Sequence, residues 1–217
     1  MSLEVFDART DIRNLVITPE IRSRIMRFEP GQVSQGHTHD VGHEMFVVLE
    51  GQAEFTVAGH SAVLGPGQMC VARAGEWHEI RTLADQPMTL YLSVTPHIEP
   101  THTLWDREGG TQLPYHYGGS TRAEGKPTDS PMLLLERHLV ASKALGRAAQ
   151  DNATAQESAG ARLRAALEHA DDAAAHAAVD DMWRAFRTFY SRTQEAERSW
   201  NALAVVAAGD WPQPGTS

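Results

Sequence analysis

The chain has 217 residues, enough for one domain with a large appendage or for two small domains. Its formal net charge of −9 argues against a nucleic-acid partner, which needs a clustered basic face, and its single cysteine, Cys70, excludes an internal disulfide. The first ten residues are polar and charged, and no run approaches the ~20 apolar residues of a membrane helix, so we expect a cytoplasmic protein.

The composition changes near Ser130. Residues 131–217 hold 22 alanines and 4 glycines, whereas residues 1–130 hold 8 alanines and 13 glycines. A glycine-punctuated part followed by an alanine-rich part predicts a mainly β fold with a helical tail (α+β), in separate blocks. We expect four regions: a β domain over 1–97, an ordered strap or linker over 98–130, a helical region over 131–209 and a tail over 210–217.

Short apolar stretches separated by turn residues fill the β domain. In Ala53 to Val57, apolar and polar residues alternate, which is the period of a strand with one buried face. In Glu44 to Leu49 both faces are apolar, so we expect a second sheet on one side and helices or a partner subunit on the other. Strands this short predict an antiparallel sandwich or barrel. The predicted strands cover 22–29, 44–49, 53–57, 62–64, 69–72, 77–82 and 88–95.

The strap is rich in proline, glycine and aromatic residues, too aromatic for a flexible linker and too broken for regular structure. Three histidines lie in or next to it, and we weigh two roles for them: surface residues, or, with two tyrosines, the lining of a pocket mouth. These residues are His97, His102, His116, Tyr115 and Tyr117.

The alanine-rich region predicts helices. Asp129 or Ser130 is placed to cap a helix that has Pro131 in its first turn. We expect a middle segment over about residues 153–178 and a last segment that ends at Gly209. An apolar stripe at spacings of three and four favours a small helical bundle or a dimerisation arm over a cofactor site. The stripe comprises Met182, Phe186, Phe189, Thr193, Ala196, Trp200, Leu203 and Ala207.

The candidate chemistry lies in Gly31 to Gly51, GQVSQGHTHDVGHEMFVVLEG. Residues two apart on a strand point to the same side, so His37 and His39 project together. A turn at residues 40–42 allows a second strand to bring Glu44 into the same space, and His78 follows downstream. Two imidazoles and a carboxylate that converge suit one divalent metal ion, with Fe, Mn, Ni, Zn, Cu and Co all open.

This stretch resembles the first signature of the cupin superfamily, G-x5-H-x-H-x4-E-x6-G, without a mismatch. The second signature, G-x5-P-x-G-x2-H-x3-N, is met at Gly67, Gly75 and His78, but Arg73 replaces its proline and Thr82 its asparagine. The resemblance covers about residues 20–97. It implies a small double-stranded β-helix (jelly-roll) barrel with a metal held by three histidines and one glutamate. Carried over residue by residue, these ligands are His37, His39, Glu44 and His78.

Other residues have competing roles. Arg24 and Arg73 are candidates to meet an anionic substrate, although a surface salt bridge is the commoner fate of an arginine. We expect Cys70 to be a small buried hydrophobic residue rather than a nucleophile, and Tyr91 to be a weak candidate for the cavity wall. We expect His43 to hydrogen-bond away from the site, and surface or interface positions for His60, His138, His169 and His176.

The resemblance and the ligand set predict a metal-dependent enzyme, a dioxygenase-like oxidoreductase, isomerase or lyase acting on a small organic molecule, with Glu44 as ligand and proton acceptor. The alternative is a non-catalytic module that binds a metal or small ligand, with the helices as a dimerisation or signalling arm. A third interpretation, an oligomer scaffold with a vestigial site, conflicts with the intact ligand set. We expect a small-molecule partner, no nucleic acid or membrane, and a homodimer.

Overall fold

The computed structural model describes residues 3–209 except Ala84, residues 107–109 and Lys126. The expected tail over 210–217 lies outside the described residues. The chain divides into two compact units. One contains the residues up to Pro127 together with those from Ala204 onward, and the other is Thr128–Leu203. The division falls close to Ser130, where the composition changes.

The first unit consists of two antiparallel sheets of five strands each. The first sheet has the strand order β1-β2-β9-β4-β7, and the second has the order β10-β3-β8-β5-β6. This pair of sheets is the jelly-roll-like fold that the sequence predicts. The strands are β1 (Asn14–Ile17), β2 (Arg22–Phe28), β3 (His37–Thr38), β4 (His43–Glu50), β5 (Ala53–Val57), β6 (His60–Leu64), β7 (Met69–Ala72), β8 (His78–Thr82), β9 (Met88–Thr95) and β10 (Thr103–Leu104).

The core lies between the two sheets and follows from the period-2 alternation of the strands. On β4, Phe46 and Val48 are buried, whereas Met45 and Leu49 on the opposite face are 40% and 38% exposed. The cover that the sequence predicts for that second face is therefore incomplete in the single chain. Phe28, Phe55, Ile80, Met88, Leu90 and Leu92 complete most of the core around β4.

The strap contributes regular structure, which corrects the expectation that it is too broken to do so. Its strand β10 pairs with β3, so that Thr103 faces Thr38 and Leu104 faces His37. The hydroxyl of Thr103 also donates to Asp40 Oδ1 at 2.7 Å. A short 3-10 helix follows at Arg122–Glu124. The strap thus supplies the edge strand of the second sheet, next to the candidate ligand His37.

The second unit is built from two long helices, α1 (Pro131–Glu168) and α2 (Asp172–Ala208). The last turn of α2, from Ala204 onward, belongs to the first unit. Ser130 caps α1, since its hydroxyl accepts from the Leu133 N–H at 3.3 Å. Polar contacts join the helices as an antiparallel hairpin, including Arg162 to Asp181 at 2.6 Å. Neither helix of this described region carries an apolar stretch long enough to cross a bilayer.

The predicted middle segment over residues 153–178 is not a separate helix. It contains the last part of α1, the break at residues 169–171 and the start of α2. The chain reverses there because Ala170 adopts a left-handed conformation with φ of 52°. The Asp171 carboxylate accepts from the Ala174 N–H at 3.0 Å, which satisfies a free donor at the start of α2. Asp171, which caps α2, is a weak signal inside an alanine-rich sequence. The periodicity of the apolar residues alone therefore misplaces the boundary between the two helices.

Candidate metal centre

The four expected ligands lie on neighbouring strands from both sheets. His37 is on β3 and faces His78 of β8 across the strand pair, while Glu44 is on β4 of the other sheet. His39 follows β3 directly, and the turn after it returns the chain into β4. Gly42 is needed in this turn, since a Cβ there would lie 2.7 Å from the Pro96 carbonyl oxygen.

The ligand atoms of the four side chains lie within 4.8 Å of one another. Glu44 Oε2 is 2.9 Å from His78 Nε2, 3.0 Å from His39 Nε2 and 3.8 Å from His37 Nε2. The Nε2 atoms of His37 and His78 are 3.1 Å apart. Ligands at ~2.0–2.1 Å from one ion at right angles to each other are separated by about 3 Å, so these spacings fit a single divalent ion.

Each imidazole is oriented by a backbone carbonyl. His37 Nδ1 donates to Gln35 O at 2.8 Å, His78 Nδ1 to Glu76 O at 2.9 Å, and His39 Nδ1 to Thr101 O. A carbonyl oxygen only accepts, so the proton of each neutral ring is on Nδ1 and each Nε2 presents a lone pair. Three lone pairs and a carboxylate oxygen then face one another with no proton to share, at distances of 2.9, 3.0 and 3.1 Å for the close pairs. A bound cation removes this repulsion, so the donor set fits a metal ion.

The charge states agree with this donor set. Burial lowers the pKa of His37, which favours the neutral ring that a metal requires. Burial raises the pKa of Glu44, whereas hydrogen bonds from the three surrounding imidazoles, each of which needs a proton on Nε2, hold that pKa well below its usual value. When the Nε2 atoms are unprotonated, a bound cation takes over this role. Glu44 is therefore an ionised carboxylate although it is only 2% exposed.

A cavity of about 270 Å³ opens beside these residues. His37, Glu44 and His78 form part of its wall. His102, from the strap, lines it too, with its ring centroid 4.6 Å from that of His37. Of the two roles weighed for the strap histidines, His102 takes the pocket-lining one. The rest of the wall is largely apolar and includes Met26, Phe28, Phe46, Ile80, Leu92 and Leu104.

Two arginines of β2 also line the cavity. The Arg22 side chain is 2% exposed, and its Nη2 lies 3.9 Å from Glu44 Oε1. Burial lowers the pKa of Arg22 to about 10, which leaves the guanidinium charged at neutral pH. Sequence reasoning identified Arg24 as a candidate but missed Arg22. The signal was available, because residues 22, 24, 26 and 28 of one strand share a face.

The remaining candidates lie away from the cavity. Arg73 is exposed and has its guanidinium 3.7 Å from Glu76, the surface role weighed for it. His43 Nδ1 accepts from the Ala74 N–H at 3.0 Å, so it bonds away from the site as expected.

Tyr91 lies on the face of β9 opposite Leu92, which lines the cavity. Cys70 packs against the core, and burial raises its pKa to about 11. His97 is buried, with Nε2 2.8 Å from the Thr101 hydroxyl.

Fold and site together define a small β-barrel protein with a pocket whose histidines and glutamate can hold one metal ion. Residues 24–95 match the family model described as the cupin domain. This part of the chain is therefore a cupin domain, as the resemblance predicts.

Several solved structures are similar to part of the chain. An uncharacterized conserved protein with a double-stranded beta-helix domain from Klebsiella pneumoniae is 21% identical, covers 44% of this chain and 91% of its own, and has a TM-score of 0.41. TT1209 from Thermus thermophilus is 22% identical, and the match covers 43% of this chain and 98% of TT1209 with a TM-score of 0.41. The DMSP lyase DddQ from Ruegeria pomeroyi DSS-3 is 27% identical, with 42% and 46% covered and a TM-score of 0.39. No curated protein matches the chain in sequence.

Proposed function

We propose that His37, His39, Glu44 and His78 hold one divalent transition metal, and that the protein is a metal-dependent enzyme acting on a small organic molecule. The observation that carries the proposal is the convergence of three unprotonated Nε2 atoms and one carboxylate oxygen at the wall of a cavity. Four protein ligands leave one or two positions open on an ion that prefers five or six, which suits a catalytic centre.

The reaction classes that fit are those of a dioxygenase, isomerase or lyase. A bound divalent ion would supply Lewis-acid polarisation of a substrate oxygen in the cavity. Glu44 serves as ligand and, in our proposal, as proton acceptor, because it is ionised and lies at the cavity wall. His102 is a second group placed to move a proton, since it faces the same cavity without belonging to the ligand set. The apolar walls hold the substrate and exclude water.

The test is metal content together with turnover. The full chain is loaded with Fe(II), Mn(II) or Ni(II), and we expect about one ion per chain by elemental analysis and conversion of a small organic acid or diketone. Glu44→Ala and His37→Ala should lose the ion and the activity. The matched control is His43→Ala, because His43 neighbours Glu44 on β4 but bonds to the backbone outside the site. Wild-type protein that takes up no ion, or a Glu44→Ala variant that retains it, would refute the proposal.

The second candidate is a non-catalytic binding module with a helical dimerisation or signalling arm. It is favoured by the long helical hairpin, most of which forms a compact unit of its own that contains none of the candidate ligands. A thermal-shift series separates the two functions, since a true ligand stabilises the folded state persistently by mass action. A substrate that is turned over should lose its stabilising effect with time. Persistent stabilisation without product would favour the binding module.

A further inference from the structure

Strand β2 turns one face into the cavity. Arg22, Arg24, Met26 and Phe28 all line the cavity, as their alternate positions require. Arg27 points from the other face, where its guanidinium lies 3.8 Å from Glu29 and 4.0 Å from Glu50. The strand therefore gives the cavity two adjacent cations at one end and two apolar side chains at the other.

The two cations are short of partners. Among the residues that the structure describes, nothing accepts a hydrogen bond from the buried Nε and Nη1 atoms of Arg22 or from the buried Nε of Arg24. Buried polar groups in folded proteins are almost always hydrogen-bonded, so three unsatisfied guanidinium nitrogens at one cavity indicate a missing acceptor. Two like charges two residues apart on one face also repel each other unless an anion lies between them.

The carboxylate nearest to Arg22 cannot fill this role. Glu44 Oε1 is 3.9 Å from Arg22 Nη2, which is beyond hydrogen-bond distance, and Glu44 Oε2 faces the three imidazoles. Two other carboxylates act on Arg22 from further away: Glu99, which accepts from the Gly118 N–H at 3.1 Å, and Glu124, which accepts from the Asn14 amide at 2.8 Å. Both are held by other donors. With a divalent ion in place, the cavity carries an excess of positive charge.

We propose that the cavity binds a small organic carboxylate, with its carboxylate group on the guanidinium groups of Arg22 and Arg24 and its apolar body against Met26, Phe28 and Leu92. This inference deepens the proposed function by naming the substrate class, and it rests on that function only for the role of the metal. The planar guanidinium fork matches two carboxylate oxygens. The volume of about 270 Å³ equals about nine waters at ~30 Å³ each, which sets the size of the ligand.

The test uses isovalerate and its neutral isostere isovaleramide, titrated by calorimetry into zinc-loaded and metal-free full-length protein at ~0.15 M ionic strength. We expect the zinc-loaded protein to bind isovalerate at least ~10-fold more tightly than isovaleramide, because a guanidinium group makes stronger hydrogen bonds to a charged carboxylate than to a neutral amide. Arg22→Met and Arg24→Met should each weaken isovalerate binding by ~10-fold or more and leave isovaleramide unchanged. The matched control, Arg27→Met on the same strand, should bind both as the wild type does.

The outcomes separate this inference from the proposed function. Equal binding of the two probes, or unchanged isovalerate binding in Arg24→Met, overturns the inference even when elemental analysis finds bound zinc. Arginine-dependent isovalerate binding by a protein that takes up no metal supports the inference and refutes the metal centre. Arg22 is fully buried beside Glu44, so its variant is at risk of misfolding. Arg24 is only partly buried, so if Arg22→Met misfolds, isovalerate binding by Arg24→Met alone decides the test.

Discussion

At the scale of single residues, backbone carbonyls orient the three candidate histidine ligands. The carbonyl oxygens of Gln35, Glu76 and Thr101 each accept from one imidazole Nδ1. Such outer partners fix the ring orientation and the tautomer, and their loss typically costs ~10–100-fold in metal affinity. Two of the carbonyls lie two residues before the histidine that they hold, but Thr101 belongs to the strap. The strap therefore supports the candidate centre through its backbone as well as through His102.

His97 is expected to make the metal-free protein sensitive to acid. Burial, helped by the nearby charge of Arg22, lowers the pKa of His97 to about 4 from an ordinary value of 6.5. A depressed histidine pKa means that the unfolded chain binds the proton first. The stability that His97 contributes is therefore complete above about pH 6.5 and is lost as the pH falls towards about 4. His37 and His102, whose pKa values are also lowered, add to this loss.

The measurement is denaturant unfolding of the metal-free protein between pH 7 and pH 4. One proton taken up on unfolding changes the free energy of unfolding by ~1.4 kcal/mol per pH unit. We expect His97→Gln to reduce the slope by up to that amount, and the same substitution at the exposed His60 is the control for the loss of a histidine as such. A slope that is identical in His97→Gln and the wild type would contradict the assignment.

At the scale of elements, tight turns hold the strands in register. Gly51 joins β4 to β5 with φ of 74°, and a Cβ there would lie 2.1 Å from the Pro87 carbonyl oxygen. Gly67 precedes β7 with φ of 81°, but a Cβ there would meet nothing within 4 Å. The two glycines share the left-handed backbone and differ only in the space around them, so they form a matched pair.

We expect Gly67→Ala to cost ~1–2 kcal/mol of stability from backbone strain alone. Gly51→Ala should cost a further ~1–3 kcal/mol, because the new methyl group forces apart the backbone of the β8–β9 connection. Denaturant midpoints of the two variants at neutral pH measure the difference. Equal destabilisation of both variants would show that the close approach of Gly51 to Pro87 does not exist in solution.

At the scale of the whole molecule, an apolar patch on the outer face of the first sheet favours a homodimer. Met45 pairs with Val71 and Val47 with Met69 across β4 and β7, so their side chains are neighbours. Met69 is 59% exposed and Val71 is 44% exposed. Exposed contiguous apolar patches typically mark interaction sites. The partner that we expect is a second copy of the chain, and a dimer remains a prediction.

Light scattering coupled to size exclusion tests the dimer. We expect the full chain to elute with twice its monomer mass and Val71→Glu to dissociate it by at least ~10-fold, since burying an unpaired charge is costly. The matched control is Val63→Glu, because Val63 is 53% exposed on β6 of the other sheet. A monomeric wild type, or a Val71→Glu variant as dimeric as the control, would exclude this face as the interface.

Local patterns were enough to predict most of the barrel and the convergence of the four candidate ligands. The strands Ala53–Val57, Met69–Ala72 and Met88–Thr95 have the predicted bounds, because alternation and glycine turns are properties of neighbouring residues. His37, His39 and Glu44 lie within eight residues, so strand parity and one turn bring them together. Prediction failed where distant segments meet, as when the strap supplies β10, a strand that the sequence pattern does not indicate.

The sequence by itself determined the cupin barrel, the helical region and the four side chains that can hold an ion, since each depends on spacing along a short stretch of chain. Only the tertiary structure decided what faces those side chains. Arg22 and Arg24 look into the cavity because β2 pairs with β9 in one register, and a shift of one residue would turn both arginines outward. The local pattern shows that the two arginines share a face of β2, but packing between segments far apart in the chain decides that this face is a cavity wall.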